Sequence, residues 1–200
     1  MRRALVGPAL IAAGFALDAC GRSEPSLDAV RAANEKYRDV QAALADGYVR
    51  DPLDVCETPY HLGLTDLPGV MGIHFLRRDL LRIGSDHTRL DATGTHTDFL
   101  RPAVLVYEPQ ADGTLELVAL ENLVSAAAWE AEGNRGPPTF QGTPYAFRPD
   151  DPSMTIRAHY DLHVWLFREN PRGLLAPYNP DATCAHHVFD VPTMIRGTHH

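Results

Sequence analysis

Alternation between apolar and polar positions is clearest late in the chain. Ile156, Ala158, Tyr160, Leu162, Val164 and Leu166 fall at every second position. That is strand periodicity, and the β-branched and aromatic content agrees with it. The intervening face carries Thr155, Arg157, His159, Asp161, His163, Trp165 and Phe167. Ala103–Glu108 and Thr114–Leu123 also read as strands, and Asp112-Gly113 between them supplies the turn chemistry of a hairpin. Along the second of these, period two places Leu115, Leu117, Ala119, Glu121 and Leu123 on one face. Glu121 is then a carboxylate within an apolar row. If the strand instead ends at Leu120, Glu121 is solvated, and the pattern alone supports either reading.

Near the N-terminus the period changes. Val30, Ala33, Tyr37, Val40, Leu44 and Tyr48 recur at steps of three and four, which predicts one helix capped by Ser26 and stopped at Gly47. Met71-Gly72-Ile73-His74-Phe75 reads as a short strand entered through glycine, and residues 76–102 as polar loop with one helical turn. Residues 125–154 are rich in Gly and Pro, and loops of that length often cover a functional surface. Trp129, Phe140, Tyr145 and Phe147 predict that this stretch packs down as a lid. Asn170-Pro171 and Asn179-Pro180 mark turns, and Cys184–Phe189 reads as a last strand. The fold class that follows is α+β: an N-terminal helix packed on an antiparallel β-sheet of four to six strands, with long loops.

The first residues read as an export signal. Arg2 and Arg3 precede a short apolar stretch, Ala4–Leu17, interrupted by Gly7, Pro8 and Gly14. It is too short and too glycine-rich for a membrane span. Leu17-Asp18-Ala19-Cys20 looks like a bacterial lipobox, with Asp18 departing from the usual small or apolar residue. The organisation expected is a signal peptide over 1–19, a tether over 20–26 beginning at a lipidated Cys20, and a single domain over 27–200. The destination is the periplasmic side of a bacterial membrane as a lipoprotein, or the periplasm if Cys20 carries no lipid. The lipid anchor would be the sole membrane contact.

Charge and cysteine usage narrow the classes. The formal net charge is -8, which argues against nucleic acid as a partner. Lys36 is the only lysine among 18 Lys and Arg, so Schiff-base and phosphate-loop chemistry have little to build on. With Cys20 lipidated, Cys56 and Cys184 remain, and an even pair in an oxidising compartment predicts a disulfide. A nucleophilic Cys56 or a cysteine metal ligand is the rival reading, and no adjacent motif supports it. Gly-x-Ser-x-Gly, haem-attachment and dinucleotide glycine patterns do not occur.

The strand reading decides the histidine chemistry. On a helix, His159 and His163 would lie one turn apart and could share a metal ion. On a strand they are about 13 Å apart, too far for one ion at about 2 Å from each nitrogen. His163 must then find partners on other strands, and His74 and Glu121 are the candidates. His159 and Asp161 are second-rank candidates, Asp161 as a group that orients a ligand. His186-His187 offers at most one further nitrogen to a shared site, because adjacent strand residues face opposite ways.

Met71-Gly72-Ile73-His74-Phe75, Leu105-Val106-Tyr107-Glu108-Pro109 with Asp112-Gly113, Leu162-His163-Val164-Trp165-Leu166, and Asn170-Pro171-x-Gly173 through Asn179-Pro180 to Cys184 resemble a group of exported bacterial proteins of unassigned function. The resemblance spans most of residues 27–184. It implies an envelope setting and one folded unit, and it supplies no catalytic residues. The stretch around residues 84–98 is longer than that group leads one to expect.

Two function classes follow. In the first, His74, Glu121 and His163 converge under the 125–154 lid and bind zinc, iron or copper, a mixed nitrogen and oxygen set suited to those metals. If such a site is catalytic, an open coordination position would activate water or oxygen. In the second, the protein is a small-ligand-binding or structural lipoprotein with no metal and no catalysis. Its histidines hydrogen-bond within the fold, and Trp165, Phe167 and Tyr145 line an apolar pocket.

Overall fold

The computed structural model describes residues 24–64, 66–84, 92–150 and 157–188. The expected signal peptide and Cys20 lie outside the described residues, as does the start of the histidine strand at Thr155 and Ile156. In chain order the elements are α1 (Leu27–Asn34), a 3-10 turn (Glu35–Arg38), α2 (Val40–Ala45), β1 (Tyr48–Arg50), β2 (Cys56–Glu57) and a second 3-10 turn (Pro59–Leu62). Then come β3 (Gly72–Arg77), α3 (Arg78–Leu81), β4 (Val104–Pro109), β5 (Leu115–Ser125), α4 (Ala126–Ala131), β6 (Thr139–Phe140), β7 (Thr143–Pro144), β8 (Ala146–Arg148) and β9 (His159–Val164). No helix among the described residues is long and apolar enough to cross a membrane.

The architecture is α+β. Seven antiparallel strands form one sheet in the order β1-β3-β4-β5-β9-β8, with β2 also paired to β3. It exceeds the four to six strands expected because β1, β2 and β8 are too short to show alternation. Cys184–Val188 is turn rather than a last strand, with the His187 amide donating to the Cys184 carbonyl at 3.0 Å. The predicted N-terminal helix breaks in the middle. Asp39 takes an extended conformation and caps α2 by accepting from the Gln41 amide. Tyr48 opens β1 instead of closing the helical stripe.

Both faces of the sheet are buried. Ile73, Phe75, Leu105, Tyr107, Leu120, Leu162 and Val164 point to a first core, which takes Val30, Tyr37 and Ala43 from the N-terminal helical segment. The polar ends of that core are satisfied: the Tyr107 hydroxyl donates to the Tyr37 carbonyl, and the Tyr48 hydroxyl donates to the Pro102 carbonyl. Leu76, Val104, Val106, Ala119 and Leu123 point to a second core with Val70, Leu81, Trp165 and Ala182.

A bulge in β5 decides which face Glu121 joins. Val106 pairs with Ala119, but the next residue, Tyr107, pairs with Leu117, so Val118 is an extra residue. Leu115 and Leu117 therefore pack with the first core, while Ala119, Glu121 and Leu123 turn to the second face. The single apolar row expected along this strand is split in two. β5 continues to Ser125 and Glu121 is 2% exposed, so Glu121 is buried rather than solvated.

The aromatic residues expected to make residues 125–154 a lid over the histidine face turn to the other face, and from this stretch Arg148 reaches the histidine face through Asp161. Phe140 and Tyr145 enter the first core, and Trp129 packs against it. The second face is closed instead by the C-terminal stretch. Val70 and Asn179 form a two-way backbone bridge, the Trp165 indole donates to the Ala176 carbonyl, and the Thr183 amide donates to Glu108. A disulfide joins Cys56 to Cys184 with a Cα–Cα distance of 5.8 Å across 128 positions. The chain-entropy model values a closure of that length at about 5 kcal/mol.

Candidate metal centre

His74, Glu121 and His163 come from three different strands of the second face. Glu121 and His163 are direct partners across the β5–β9 pair. His74 lies on β3, with β4 between it and Glu121. Opposite His74 on β4 is Val106, and opposite Glu121 is Val104. Two strand spacings amount to roughly 9.6 Å between the backbones. Valines in the intervening row are short enough for the two longer side chains to meet above them.

They meet closely. His74 Nε2 lies 3.2 Å from Glu121 Oε2, and His163 Nε2 lies 3.6 Å from Glu121 Oε1. One ligand-type atom from each of the three residues falls within 4.8 Å of the others. Ligands about 2.0–2.1 Å from a tetrahedral ion stand roughly 3.3–3.4 Å from one another. The two carboxylate–imidazole separations bracket that value, and the two imidazole nitrogens lie within 4.8 Å of each other. The side chains are 1%, 3% and 1% exposed. His163 Nε2 makes no hydrogen bond among the described residues.

Around the trio are groups that the sequence pattern did not reveal. Glu57 Oε1 lies 3.9 Å from His74 Nδ1, on the side of the ring away from Glu121. A carboxylate on that side favours a proton on Nδ1, the tautomer in which Nε2 is the coordinating nitrogen. Glu57 belongs to a two-residue strand, which has no periodicity to read. Arg148 Nε pairs with Asp161 Oδ2 at 2.9 Å. Burial opposes the Arg148 charge, but Asp161, and more weakly Glu121, hold its pKa above the ordinary guanidinium value. Tyr178 is 2% exposed and its hydroxyl makes no hydrogen bond among the described residues. Burial pushes its pKa up to about 12. Arg148 opposes that rise, and Glu57, Asp161 and Glu121 add to it.

The other predicted positions separate from the trio. His159 is half-buried, with Nδ1 2.8 Å from the Arg157 carbonyl, and its place four residues before His163 on one strand keeps it about 13 Å away. Asp161 shares the face but is engaged by Arg148. The three aromatic residues expected in one pocket are divided between the cores: Trp165 in the second, Phe167 and Tyr145 in the first. The cause is that β9 ends at Val164 and the chain bends at residues 166–168, so Phe167 leaves the alternation. Its ring carries the Arg31 and Arg38 guanidinium groups at 5.7 and 5.0 Å.

Two imidazoles and one carboxylate form a donor set suited to zinc, iron or copper, and three protein ligands leave coordination positions for a further ligand. No family model, curated protein or solved structure matches this chain.

Proposed function

We propose that this chain is an exported cell-envelope protein that binds one divalent transition metal ion through His74 Nε2, Glu121 and His163 Nε2. The observation that carries the proposal is the convergence of these three buried groups from separate strands beside the second core. A buried carboxylate between two imidazoles is costly unless its charge is compensated, and a divalent cation compensates it at once. Zinc, iron and copper all fit the donors. The Arg2–Cys20 leader pattern and the Cys56–Cys184 bridge support export into an oxidising compartment, with a lipid at Cys20 as the tether.

The competing reading is a structural domain in which protonated imidazoles pair with Glu121 and no metal is bound. The 3.2 Å His74–Glu121 contact also suits such a pair. Elemental analysis of untagged protein, purified without chelator, separates the two. One equivalent of metal, lost in a His163→Ala variant that keeps its circular dichroism spectrum, supports the metal reading. Folded native protein that carries no metal and takes up none refutes it.

A further inference from the structure

The ligands and their cover belong to different parts of the chain. His74, Glu121 and His163 sit on β3, β5 and β9, in the middle of the sheet. Residues 168–184, which close the second face, contribute none of the three. Besides the burial of Tyr178, Asn179 and Ala182, they are held by the Val70–Asn179 bridge, the Thr183 amide on Glu108, Arg168 on Glu108 at 2.6 Å and on Glu116 at 2.8 Å, and Trp165 on the Leu174 and Ala176 carbonyls. The disulfide ends this segment at Cys184. Its other half, Cys56, immediately precedes Glu57, the carboxylate facing His74 Nδ1. β2 itself is joined to β3 through only two residue pairs, Cys56 with Ile73 and Glu57 with Gly72. One covalent bond thus fastens both the cover and the strand that carries Glu57.

Resting on the metal reading above, we propose that the Cys56–Cys184 disulfide is a latch on the metal site, and that its reduction by a dithiol opens the site to metal exchange. An incoming thiolate meets Cys184, which is half-buried between exposed Thr183 and Ala185, whereas Cys56 is 5% exposed. Attack on Cys184 Sγ forms a mixed disulfide and expels Cys56 as a thiolate, which takes up a proton. The second thiol of the reductant then displaces Cys184 and closes its own disulfide. Two electrons and two protons pass from dithiol to protein. Residues 168–184 keep their main-chain link to β9 but lose the covalent tie at their C-terminal end, and the ligand trio stays in place on its three strands.

The test compares one preparation in two redox states. Reduced protein is loaded with one equivalent of Zn(II), freed of dithiol by anaerobic gel filtration, and divided. One half is reoxidised with glutathione disulfide, and release to an excess of chromogenic chelator is timed in both. Release at least ten-fold slower from the oxidised half supports the latch, as does fast release from a Cys56→Ser/Cys184→Ser variant whatever its redox treatment. Equal rates in the two halves overturn the latch and leave the metal reading standing. Failure to bind zinc in either state overturns both. Hydrogen exchange guards against global unfolding. Reduction should deprotect the Asn179 amide while β4 and β5 stay protected, and loss of protection throughout the sheet also overturns the latch.

Discussion

Replacing Glu121 by Gln tests the metal reading with the least disturbance of packing. Gln fills the same volume, so no cavity opens in a site that is 3% exposed or less. It retains one carbonyl oxygen and removes the negative charge shared between His74 and His163. With metal at a thousand times the wild-type Kd, binding stabilises the wild-type fold by about 4 kcal/mol. A domain of this size gains roughly 2–4 °C per kcal/mol, so the wild-type Tm should rise by about 8–16 °C over its value in chelator. Loss of a charged ligand costs at least about 100-fold in affinity, the upper end of what loss of an outer partner costs. At the same metal concentration the variant then keeps about 1.4 kcal/mol, or roughly 3–6 °C. The assay is thermal unfolding of both proteins with zinc and with chelator. The quantity compared is the metal-dependent shift within each protein, so any loss of the metal-free ion pair cancels. Equal shifts in the two proteins, or no shift in the wild type, refute the assignment of Glu121 as a ligand.

Three further predictions concern the frame. Asn34 is fully buried and donates to the Val30 and Phe99 carbonyls at 2.8 and 2.9 Å; Asn34→Ala should cost about 1–3 kcal/mol in urea unfolding, and an unchanged midpoint would show that these bonds hold nothing. At Gly69 φ is +97° and an added Cβ would stand 2.3 Å from the Asn179 carbonyl oxygen, so Gly69→Ala should cost about 3 kcal/mol or more. Gly113→Ala, with φ of +83° but open space around it, should cost only about 1–2 kcal/mol; similar losses at the two sites would dismiss the Asn179 contact. Arg77, through a paired contact at 2.8 and 2.9 Å, holds the Asp79 carboxyl below its ordinary 3.8, with Arg101 adding. The folded value is the lower one, so this stabilisation is complete above about pH 4 and is lost as pH falls through the folded value. Denaturant midpoints between pH 2 and 6 should therefore have a shallower acid slope in Asp79→Asn, and parallel slopes would remove Asp79 from the acid response.

Strands with uninterrupted alternation were legible in the sequence, and so was the pair of cysteines. β9 reads directly because Tyr160, Leu162 and Val164 keep phase, and that phase correctly separates His159 from His163. The β4–β5 hairpin reads from Asp112-Gly113, where Asp112 Oδ1 accepts from both the Thr114 amide and hydroxyl. What the pattern hid was decided by single residues and by tertiary contact. Strict period two assigns Leu117 and Glu121 to one face, yet an extra residue at Val118 puts them on opposite faces. The break at Asp39 is a local cap overriding a helical stripe. Aromatic content in residues 125–150 shows that a loop packs without showing on which face, so it does not identify the cover. Glu57, Arg148 and Tyr178 carry no local signal, since their proximity to the site arises from strand order and the fold of the C-terminal stretch.

The bulge also bears on what the second face is for. Glu121 is brought beside His74 and His163 only because Val118 shifts the register; without the extra residue it would keep phase with Leu117 and point into the first core. Burying a carboxylate and two imidazoles on a face of Val, Leu and Ala opposes folding wherever their charges and polar atoms lack partners. Apolar side chains at these three positions would pack the same face without that cost. The cost is accepted at three separate strands, and a carboxylate stands behind one of the imidazoles at 3.9 Å. Packing alone does not account for such an arrangement, and a bound cation would engage the carboxylate and both imidazoles at once.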